Sequence, residues 1–574
     1  MLNLIRSLLI LFSFLILKTV NAQGENSRNY PKGYFRNPLN IPMNLSGNFG
    51  ELRSNHYHMG LDLKTNAREN LPVYAAAEGY ISRVKIEPGG FGRAIYINHP
   101  NGYTTLYAHL NAFNQRLESW LKQQQYKLES WNVYLELTPD LFPVKKGDFL
   151  ANSGNTGGSQ GPHLHFEVRN TADDVNLNPL LFGFPVPDNI KPRILRLAVY
   201  DRSKSVYEKS PKIYSVKTIA AGRYSTTTPV ITVNSALVSF AITSYDSHSG
   251  SANLNGIYGA DLILNEEPVV KFRMDNISYN DTRYLNAHID YKVKSAGGSY
   301  LQHLSELPGY INSIYQHENG NGVLDISDGE VHEIRIRSID AAGNNSELKY
   351  KIRYVESTGI PERTSAGKMF YPLMIDGFES EDCEFYIGEK CLYDSVSVRY
   401  SNAPASNGAA VSAIHSIGTA GIPLQEAFLI RIKPGDSLTL QQKDRTVMQW
   451  YAGSRNAVQK VEWQQDWAAA YFRDFGSYQL LVDNDPPQII PIGFADGSNL
   501  AKSTRIVFTV KENLGKFKNV RAELDGKWLR FTNDKGRNFI YQFDEKCSSG
   551  DHELTISAED EAGNIATRTF KFRR

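Results

Sequence analysis

Short apolar runs separated by glycine turns characterise residues 44–169 of this 574-residue chain. Three such segments are LPVYAAAEGYISRVKI, GRAIYINHPNGYTTLYAHL and VKKGDFLANSGNTGGSQGPHLHFEVR. Runs of this length that alternate with turn residues predict β-hairpins. One stretch differs, since the apolar residues of 111–129 recur at near-helical spacing: Phe113, Leu117, Trp120, Leu121 and Leu128. We therefore expect a β-rich unit with a helical insertion at about residues 111–143.

An internal repeat indicates sandwich domains further along the chain. Residues 332–344 (HEIRIRSIDAAGN) align without a gap on residues 552–564 (HELTISAEDEAGN). In both copies apolar and polar positions alternate, a D-x-A-G-N turn follows, and a second strand-like run comes next, LKYKIRY or TRTFKFRR. This arrangement is typical of the last two strands of an immunoglobulin-like sandwich.

The fold class that these patterns predict is mainly β. At roughly 150 residues per domain, a chain of this length is expected to hold about four units. We expect a signal peptide at 1–22, a β-rich domain at 23–189, immunoglobulin-like sandwiches at 190–355 and 485–574, and a β-rich domain of unassigned type at 356–484. Sandwich domains serve many functions, so partners in the cell envelope are compatible with them.

The first 22 residues, MLNLIRSLLILFSFLILKTVNA, have the pattern of a secretory signal peptide. Arg6 precedes an apolar run that extends from Leu8 to Leu17, and small residues follow up to Ala22. A run of about ten apolar residues is short of the roughly 20 that span a bilayer, so we expect cleavage rather than anchoring. No later segment has the character of a transmembrane span. The sequence thus predicts export to the periplasm, the cell envelope or the extracellular space.

Charge and cysteine content narrow the functional classes. The chain has 62 Lys and Arg against 61 Asp and Glu, which argues against a nucleic-acid binder with a strongly basic surface. Its three cysteines are Cys383, Cys391 and Cys547. Export would permit a disulfide between Cys383 and Cys391, and three buried thiols are an equal alternative.

Histidines are concentrated in the first domain, where six of the chain's 13 lie between residues 56 and 165. His58 and Asp62 are four residues apart, a separation that puts both side chains on one face. His163 and His165 are two apart, so in a strand both point to the same side. A catalytic zinc site needs three protein ligands and one open position. His58, Asp62 and one of the two neighbouring histidines supply such a set.

Other polar residues near these histidines are candidates for supporting roles. The imidazole that does not bind metal, together with His109 of the sequence YAHL, would be free to assist the reaction. Glu167 shares the strand face of His163 and His165. It therefore either orients an imidazole or lies at the groove edge without catalytic duty.

Three ordered motifs in residues 49–168 resemble the lysostaphin/LytM-type zinc metallopeptidases. They are H-x-x-x-D at 58–62, YAHL at 107–110 and GPHLHFE at 161–167. The resemblance implies a β-rich groove fold and endopeptidase action on the peptide cross-links of bacterial peptidoglycan. It also implies that one Zn²⁺ per chain is bound by His58, Asp62 and His165, while His109 and His163 assist water activation and oxyanion stabilisation.

The sequence departs from compact relatives in two ways. About 30 residues are inserted between Leu110 and Val144, where we expect a wall of the substrate groove. Only about 30 residues separate the signal peptide from His58, so we expect no sizeable inhibitory segment there. The remaining histidines of this domain, His56 and His99, fit none of the motifs and are expected to be surface or loop residues.

Two other functional classes stay open. A catalytically inactive relative that activates a cell-wall amidase would bind no zinc. An adhesion or scaffolding protein would act through residues 190–574 alone. For an active enzyme, the candidate bonds are the D-alanyl–diaminopimelate cross-link and a glycine bridge.

Overall fold

The computed structural model describes residues 30–309, 313–356, 367–405 and 408–574. The expected signal peptide at 1–22 lies outside the described residues. Most elements are β-strands, which confirms the predicted mainly β fold class. Within these ranges, no helix combines the length and apolar character needed to cross a bilayer.

The first region consists mainly of a large sheet, a small sheet and one helix. Its elements in chain order are β1 (Leu45–Gly47), β2 (Leu52–Arg53), β3 (His56–Tyr57), β4 (Leu61–Lys64), β5 (Pro72–Tyr74), β6 (Gly79–Ile86), β7 (Arg93–Asn98), β8 (Tyr103–Ala108), β9 (Leu110–Phe113), α1 (Gln115–Leu128), β10 (Val133–Glu136), β11 (Pro143–Val144), β12 (Phe149–Ser153), β13 (His163–Asn170) and β14 (Asn176–Leu177), followed by a 3-10 helix at Pro179–Phe182. The large sheet has the order β1-β4-β13-β8-β7-β6-β10, and the small sheet has the order β5-β12-β9.

Strand β13 lies inside the large sheet, antiparallel to β4 on one side and to β8 on the other. The register sets His165 opposite Asp62 of β4. Side chains alternate between the two faces of a strand. The intervening residues of β13 are fully buried in the core: Leu164, Phe166 and Val168. The other face of β13 is therefore available to its histidines.

The predicted helix is present, but it is shorter than the apolar pattern suggested. It begins at Gln115, directly after Asn114, whose side chain accepts a hydrogen bond from the Leu117 N–H group. Residues 110–113 form β9 instead, because they pair with β12 of the small sheet. The insertion also adds β10 and β11 to the large sheet, where both pair with β6.

The second region is a sandwich whose two sheets share a strand. Its elements are β15 (Arg193–Asp201), β16 (Lys212–Ala220), β17 (Arg223–Val233), β18 (Leu237–Tyr245), β19 (Gly259–Leu264), β20 (Glu267–Arg273), β21 (Asn276–Ile277), a 3-10 helix at Thr282–Tyr284, α2 (Leu285–His288), α3 (Tyr291–Ser295), β22 (Gln302–His303), β23 (Tyr315–His317), β24 (Leu324–Asp325), β25 (His332–Ile339) and β26 (Asn345–Tyr354). Strand β16 pairs with β15 through its first half and with β17 through its second half. The short strand β21 pairs with β14 and so extends the large sheet of the first region.

The third region contains two five-stranded sheets. Its elements are β27 (Lys368–Phe370), β28 (Asp376–Glu379), β29 (Cys383–Ile387), β30 (Val396–Val398), β31 (Tyr400–Ala403), β32 (Ile414–Ile417), β33 (Pro423–Ile432), α4 (Leu440–Asp444), β34 (Thr446–Ala452), β35 (Arg455–Lys460), β36 (Glu462–Gln464), β37 (Trp467–Asp474) and β38 (Gly476–Val482). The sheets have the orders β28-β29-β33-β37-β36 and β31-β32-β38-β34-β35. Cys383 and Cys391 lie here as buried free thiols, and Cys547 of the next region is also buried and free.

The fourth region is a small sandwich with sheet orders β39-β41-β44 and β40-β46-β45-β42-β43. Its elements are β39 (Gln488–Ile492), β40 (Ser498–Asn499), β41 (Arg505–Lys511), β42 (Phe517–Leu524), β43 (Lys527–Trp528), a 3-10 helix at Asp534–Gly536, β44 (Phe539–Gln542), β45 (Asp551–Asp560) and β46 (Ile565–Arg573). The repeated sequence forms the same hairpin twice, as β25–β26 and as β45–β46.

Helix α1 carries contacts between the first and fourth regions. Lys122 forms an ion pair with Asp544 at 2.8 Å, and Gln125 accepts a hydrogen bond from Arg530 at 2.6 Å. The ring of Tyr126 packs edge-on against Trp528. The insertion is therefore a docking surface for the fourth region.

Candidate active site

His58, Asp62 and His165 meet where β3, β4 and β13 come together. His58 Nε2 lies 3.0 Å from Asp62 Oδ1 and 3.1 Å from His165 Nδ1, and His165 Nδ1 lies 3.0 Å from the same carboxylate oxygen. All three side chains are buried, and together they form a group that could hold a metal ion. Ligand atoms bound to one zinc ion at about 2.0–2.1 Å lie roughly 3.3 Å apart in tetrahedral geometry. The observed triangle is close to that size.

Gly60 allows the segment between His58 and Asp62 to approach β13. A Cβ atom at this position would lie 2.5 Å from Phe166 O and 2.8 Å from Glu167 Cγ. Any side chain there would push β4 away from β13. The close approach of the two strands, and with it the ligand triangle, thus depends on glycine at this position.

In their neutral forms, the two imidazoles carry their single proton on the outer nitrogen. His58 Nδ1 donates to Asn48 O at 2.8 Å, and His165 Nε2 donates to Glu167 Oε1 at 2.9 Å. Since a neutral imidazole carries one N–H group, His58 Nε2 and His165 Nδ1 present lone pairs to each other and to Asp62. Three electron-rich atoms this close repel one another unless a positive charge lies among them. The donor set therefore fits a divalent metal ion.

The pKa values of the metal-free protein reflect the same crowding. Burial opposes ionisation of Asp62, but the surrounding imidazoles outweigh it and hold its pKa well below the usual range. Burial also disfavours a charged His165, yet hydrogen bonds to Asp62 and Glu167 raise its pKa to about 9. Arg53 Nη2 forms an ion pair with Asp62 Oδ2 at 3.0 Å. In the metal-free protein, a proton on His165 supplies the positive charge among the ligands.

Glu167 holds the outer nitrogen of His165 and is itself held from three sides. Its fully buried carboxylate accepts hydrogen bonds from Arg169 Nε, Asn176 Nδ2 and the Tyr279 hydroxyl, each at 2.7 Å. Burial opposes its ionisation, but Arg169 and His165 lower its pKa to about 2. This is the geometry that an orienting role requires, and the role itself stays a prediction.

His109 enters the site from an unusual backbone conformation. It joins β8 to β9 with a φ of 59°, in the left-handed region that few non-glycine residues adopt. Its Nδ1 donates to Thr156 O at 2.9 Å, which leaves a lone pair on Nε2. Burial, reinforced by His165 and His163, lowers its pKa to about 3. His109 is therefore a neutral imidazole that can accept a proton or a hydrogen bond.

His163 lies beside the ligand group on the same face of β13. Its Nδ1 donates to Gly161 O at 2.8 Å, and its Nε2 lies 3.3 Å from Asp62 Oδ1. Its ring centroid is 4.8 Å from that of His109. The group able to hold a metal includes His165 rather than His163. The structure thus brings all five predicted site residues together. His58, Asp62 and His165 form a triangle, and His109 and His163 form a pair beside it.

The two remaining histidines of this region have different environments. His56 is exposed, as expected, and bonds through Nδ1 to Ser54 O. His99 follows β7 in a loop, which agrees with the expectation of a surface or loop residue, but it is buried there, since only 5% of it is exposed. Its Nδ1 donates to Glu78 O at 2.7 Å, and its Nε2 lies 2.8 Å from Thr105 Oγ1. His99 is a hydrogen-bonded residue of the interior.

The sequence did not reveal several residues that support the triangle. Arg169 could have been found, because it continues the period-two series of β13 on the same face. Arg53, Asn176 and Tyr279 carried no such signal. Tyr279 belongs to the second region, and it reaches the site directly after β21, the strand that pairs with β14.

A loop at residues 154–161 links the site to the fourth region. The carbonyls of this loop accept the Nδ1 hydrogen bonds of both His109 and His163. From the fourth region, Asp534 Oδ1 accepts a hydrogen bond from the Gly157 N–H group at 2.8 Å, and Lys535 Nζ donates to Ser159 O. The loop that holds His109 and His163 is thus held in place by residues of the fourth region.

Family comparison matches this first region. Residues 56–126 and 142–179 match the model of Peptidase family M23. The chain contains an M23 peptidase domain. The matched residues include His58, Asp62, His109, His163, His165 and Glu167. The unmatched interval 127–141 falls within the insertion.

Curated relatives align with the M23 domain. The chain is 35% identical over 131 residues to the DD-carboxypeptidase/endopeptidase Mpg of Neisseria meningitidis, which is 23% of this chain and 24% of that protein. It is 33% identical over 171 residues to an uncharacterized metalloprotease of Haemophilus influenzae (29% and 30% covered). It is 27% identical over 173 residues to the peptidoglycan DD-endopeptidase ShyC of Vibrio cholerae (29% and 33% covered). The matches thus span about a quarter to a third of these relatives.

Two other parts of the chain match family models, and the M23 domain is similar to a solved structure. Residues 371–483 match a Zu5-like domain and residues 492–573 match a bacterial Ig-like domain. The M23 domain is 25% identical to the catalytic domain of lysostaphin from Staphylococcus simulans, with a TM-score of 0.17, covering 27% of this chain and 92% of that one.

Proposed function

We propose that this protein is an exported, zinc-dependent endopeptidase that hydrolyses peptide cross-links of bacterial peptidoglycan. The observation that carries the proposal is the convergence of His58 Nε2, His165 Nδ1 and Asp62 Oδ1, with two more imidazoles beside them. A structural zinc site closes its coordination with a fourth protein ligand, whereas a catalytic site leaves that position to water or substrate. A triangle of protein ligands flanked by imidazoles therefore favours catalysis.

The residues around the triangle divide the work of hydrolysis. When bound, zinc acts as a Lewis acid toward the scissile carbonyl and lowers the pKa of a water molecule toward neutrality. His109, neutral and with a lone pair on Nε2, is suited to take the proton of the attacking water and pass it to the leaving amine. His163 is suited to form a hydrogen bond with the oxyanion that develops on the carbonyl.

The substrate class is supported by what the relatives are named for. Mpg is a DD-carboxypeptidase/endopeptidase and ShyC a peptidoglycan DD-endopeptidase. These names favour a bond between two D-configured centres, the D-alanyl–diaminopimelate cross-link, over a glycine bridge. A peptidoglycan substrate also requires export, in agreement with the signal-peptide pattern of residues 1–22.

The decisive experiment combines metal content with digestion of isolated peptidoglycan sacculi. We expect catalytic zinc in the purified protein and soluble muropeptides whose masses identify the cleaved bond, with both lost after chelation and restored by Zn²⁺. A protein that lacks zinc, releases no products and instead increases the activity of a cell-wall amidase would be the inactive regulator, and the proposal would be wrong.

A further inference from the structure

A second group of metal-ligating side chains lies at the start of the second region. Asp188 is in the segment that connects the M23 domain to β15, and Asp246 and His248 follow the end of β18. One ligand atom from each of these residues lies within 4.8 Å of the others. The group shares no residue with the candidate active site.

The three side chains of this group are buried. Asp246 is 3% exposed and His248 is 4% exposed, and the Asp188 side chain is 4% exposed. In the described parts of the chain, no lysine or arginine forms an ion pair with Asp188 or Asp246. Burying carboxylates without a cation is strongly unfavourable, so the group needs a source of positive charge.

Asp246 provides an independent sign that a ligand is missing from its surroundings. Its Oδ1 atom is buried and has no hydrogen-bond partner among the residues that the structure describes. Its backbone, in contrast, is fully engaged, since Asp246 and Asn255 exchange two N–H to C=O hydrogen bonds of 2.9 Å. The side chain is held in place by the backbone while its oxygen is left unsatisfied.

His248 turns its Nε2 atom toward the same carboxylates. Its Nδ1 lies 3.0 Å from Asn255 Oδ1, and the amide nitrogen of Asn255 faces Glu51 Oε2 at 3.4 Å, which identifies Oδ1 as the acceptor. Because Nδ1 donates to Asn255, Nε2 is the ring nitrogen that faces the carboxylates, and it lies 4.0 Å from Asp188 Oδ2. Two carboxylates and one imidazole nitrogen therefore converge here, whereas the candidate active site combines one carboxylate with two imidazoles.

The fourth region holds a related group of carboxylates, which differs in membership. Asp483, Glu512 and Asp560 also place ligand atoms within 4.8 Å of one another. In both copies the Asn of the D-x-A-G-N turn donates to the backbone carbonyl of the connecting aspartate: Asn344 to Asp188 and Asn564 to Asp483. In each copy, the repeated hairpin thus contacts the aspartate of the segment that enters its region. Only the group in the second region includes a histidine.

We propose that Asp188, Asp246 and His248 bind a divalent metal ion that ties the connection after the M23 domain to the second region. The site goes beyond the proposed peptidase function and is independent of it. A set of two carboxylates and one imidazole suits Zn²⁺ or Mn²⁺ better than Ca²⁺, which prefers oxygen ligands alone.

Zinc counting on full-length variants tests the proposal separately from the catalytic site. After equilibration with Zn²⁺ and removal of the free ion, we expect Asp246→Asn to contain one zinc per chain fewer than the wild type. His165→Ala should also lose one, and the double variant should lose two. If His165→Ala alone lowers the count, the second site is wrong. If Asp246→Asn alone lowers it, the proposed function is in question and the second site stands.

A melting experiment identifies the ion and guards against misfolding. In the His165→Ala background, added Zn²⁺ or Mn²⁺ should raise the melting temperature, and this shift should vanish when Asp246→Asn is added. A shift with Ca²⁺ but not with Zn²⁺ would remove His248 from the site. If Asp246→Asn fails to fold, anomalous diffraction at the zinc edge from wild-type crystals grown with Zn²⁺ decides, because absence of a peak beside Asp246 would overturn the proposal.

Discussion

The triangle of His58, Asp62 and His165 and the pair of His109 and His163 are supported in different ways. His165 is held by Glu167, a buried side chain that is itself fixed by three hydrogen bonds from side chains. His109 and His163 are held by backbone carbonyls of the loop at 154–161. The triangle thus depends on a rigid charged network, and the pair depends on the position of one loop. Metal affinity and turnover should therefore respond to different substitutions.

Removing a ligand should have the largest effect and abolish both properties. His58→Ala or Asp62→Ala leaves two of three protein ligands, so we expect loss of bound zinc and no measurable digestion of sacculi. Zinc content by mass spectrometry and muropeptide release check this. His56→Ala is the matched control, since His56 is exposed and lies outside the site. Activity in a zinc-free Asp62→Ala protein would contradict the metal mechanism.

Removing an assisting imidazole should separate the two properties. We expect His109→Ala to keep its zinc and to lose activity by about 10²–10⁴-fold, the usual contribution of general acid–base catalysis. The comparison to make is kcat on a defined cross-linked muropeptide together with zinc content. Full activity in this variant would exclude His109 from the mechanism.

Weakening the network should lower metal affinity more than turnover. In Glu167→Gln the carboxylate that accepts from His165 becomes a neutral amide, and we expect zinc affinity to fall by about 10–100-fold. Activity should recover at saturating zinc. Tyr279→Phe, which removes one of three donors to Glu167, should show a smaller loss, with the exposed Tyr471→Phe as its control. Unchanged zinc affinity in Glu167→Gln would show that the network does not support the ligand.

Proton release on zinc binding should reveal the charge state of the triangle. The pKa of His165 is raised to about 9 in the metal-free protein, so at pH 7 its imidazole is protonated and must lose that proton to become a ligand. Zinc affinity should accordingly rise by up to about tenfold per pH unit until pH 9. Calorimetry in buffers of different ionisation enthalpy should detect about one proton released per zinc at pH 7. Binding without proton release would contradict this charge state.

Loosening the loop should have the smallest effect and should act on turnover alone. Asp534→Ala and Lys535→Ala each remove a contact between the fourth region and the loop at 154–161. A contact of this kind contributes roughly 0.5–1 kcal/mol, so we expect kcat to fall by about two- to fivefold with zinc affinity unchanged. Lys516→Ala, on an exposed loop of the same region, is the control. A change in zinc affinity would mean that triangle and pair are not separable.

The sequence predicted the composition of the site better than its support. Strand periodicity in β13 was enough to set its histidines and Glu167 on one face, because that face alternates with a buried one. The start of α1 was predicted too early, since pairing with β12 outweighed the apolar spacing of residues 110–113. The burial of His99 was not predicted, because a buried histidine that donates to a backbone carbonyl leaves no sequence motif. Tyr279 and Lys535 were invisible because their contacts span more than 100 residues of sequence.

The pairing of β21 with β14 has a consequence for how this protein can be truncated or recombined. A chimera joined at the sequence boundary near residue 190 would carry every motif histidine yet lose the phenol of Tyr279 and one edge of the sheet below it. The smallest fragment that keeps the candidate site intact is therefore expected to extend well past the family motifs and to include the first sandwich.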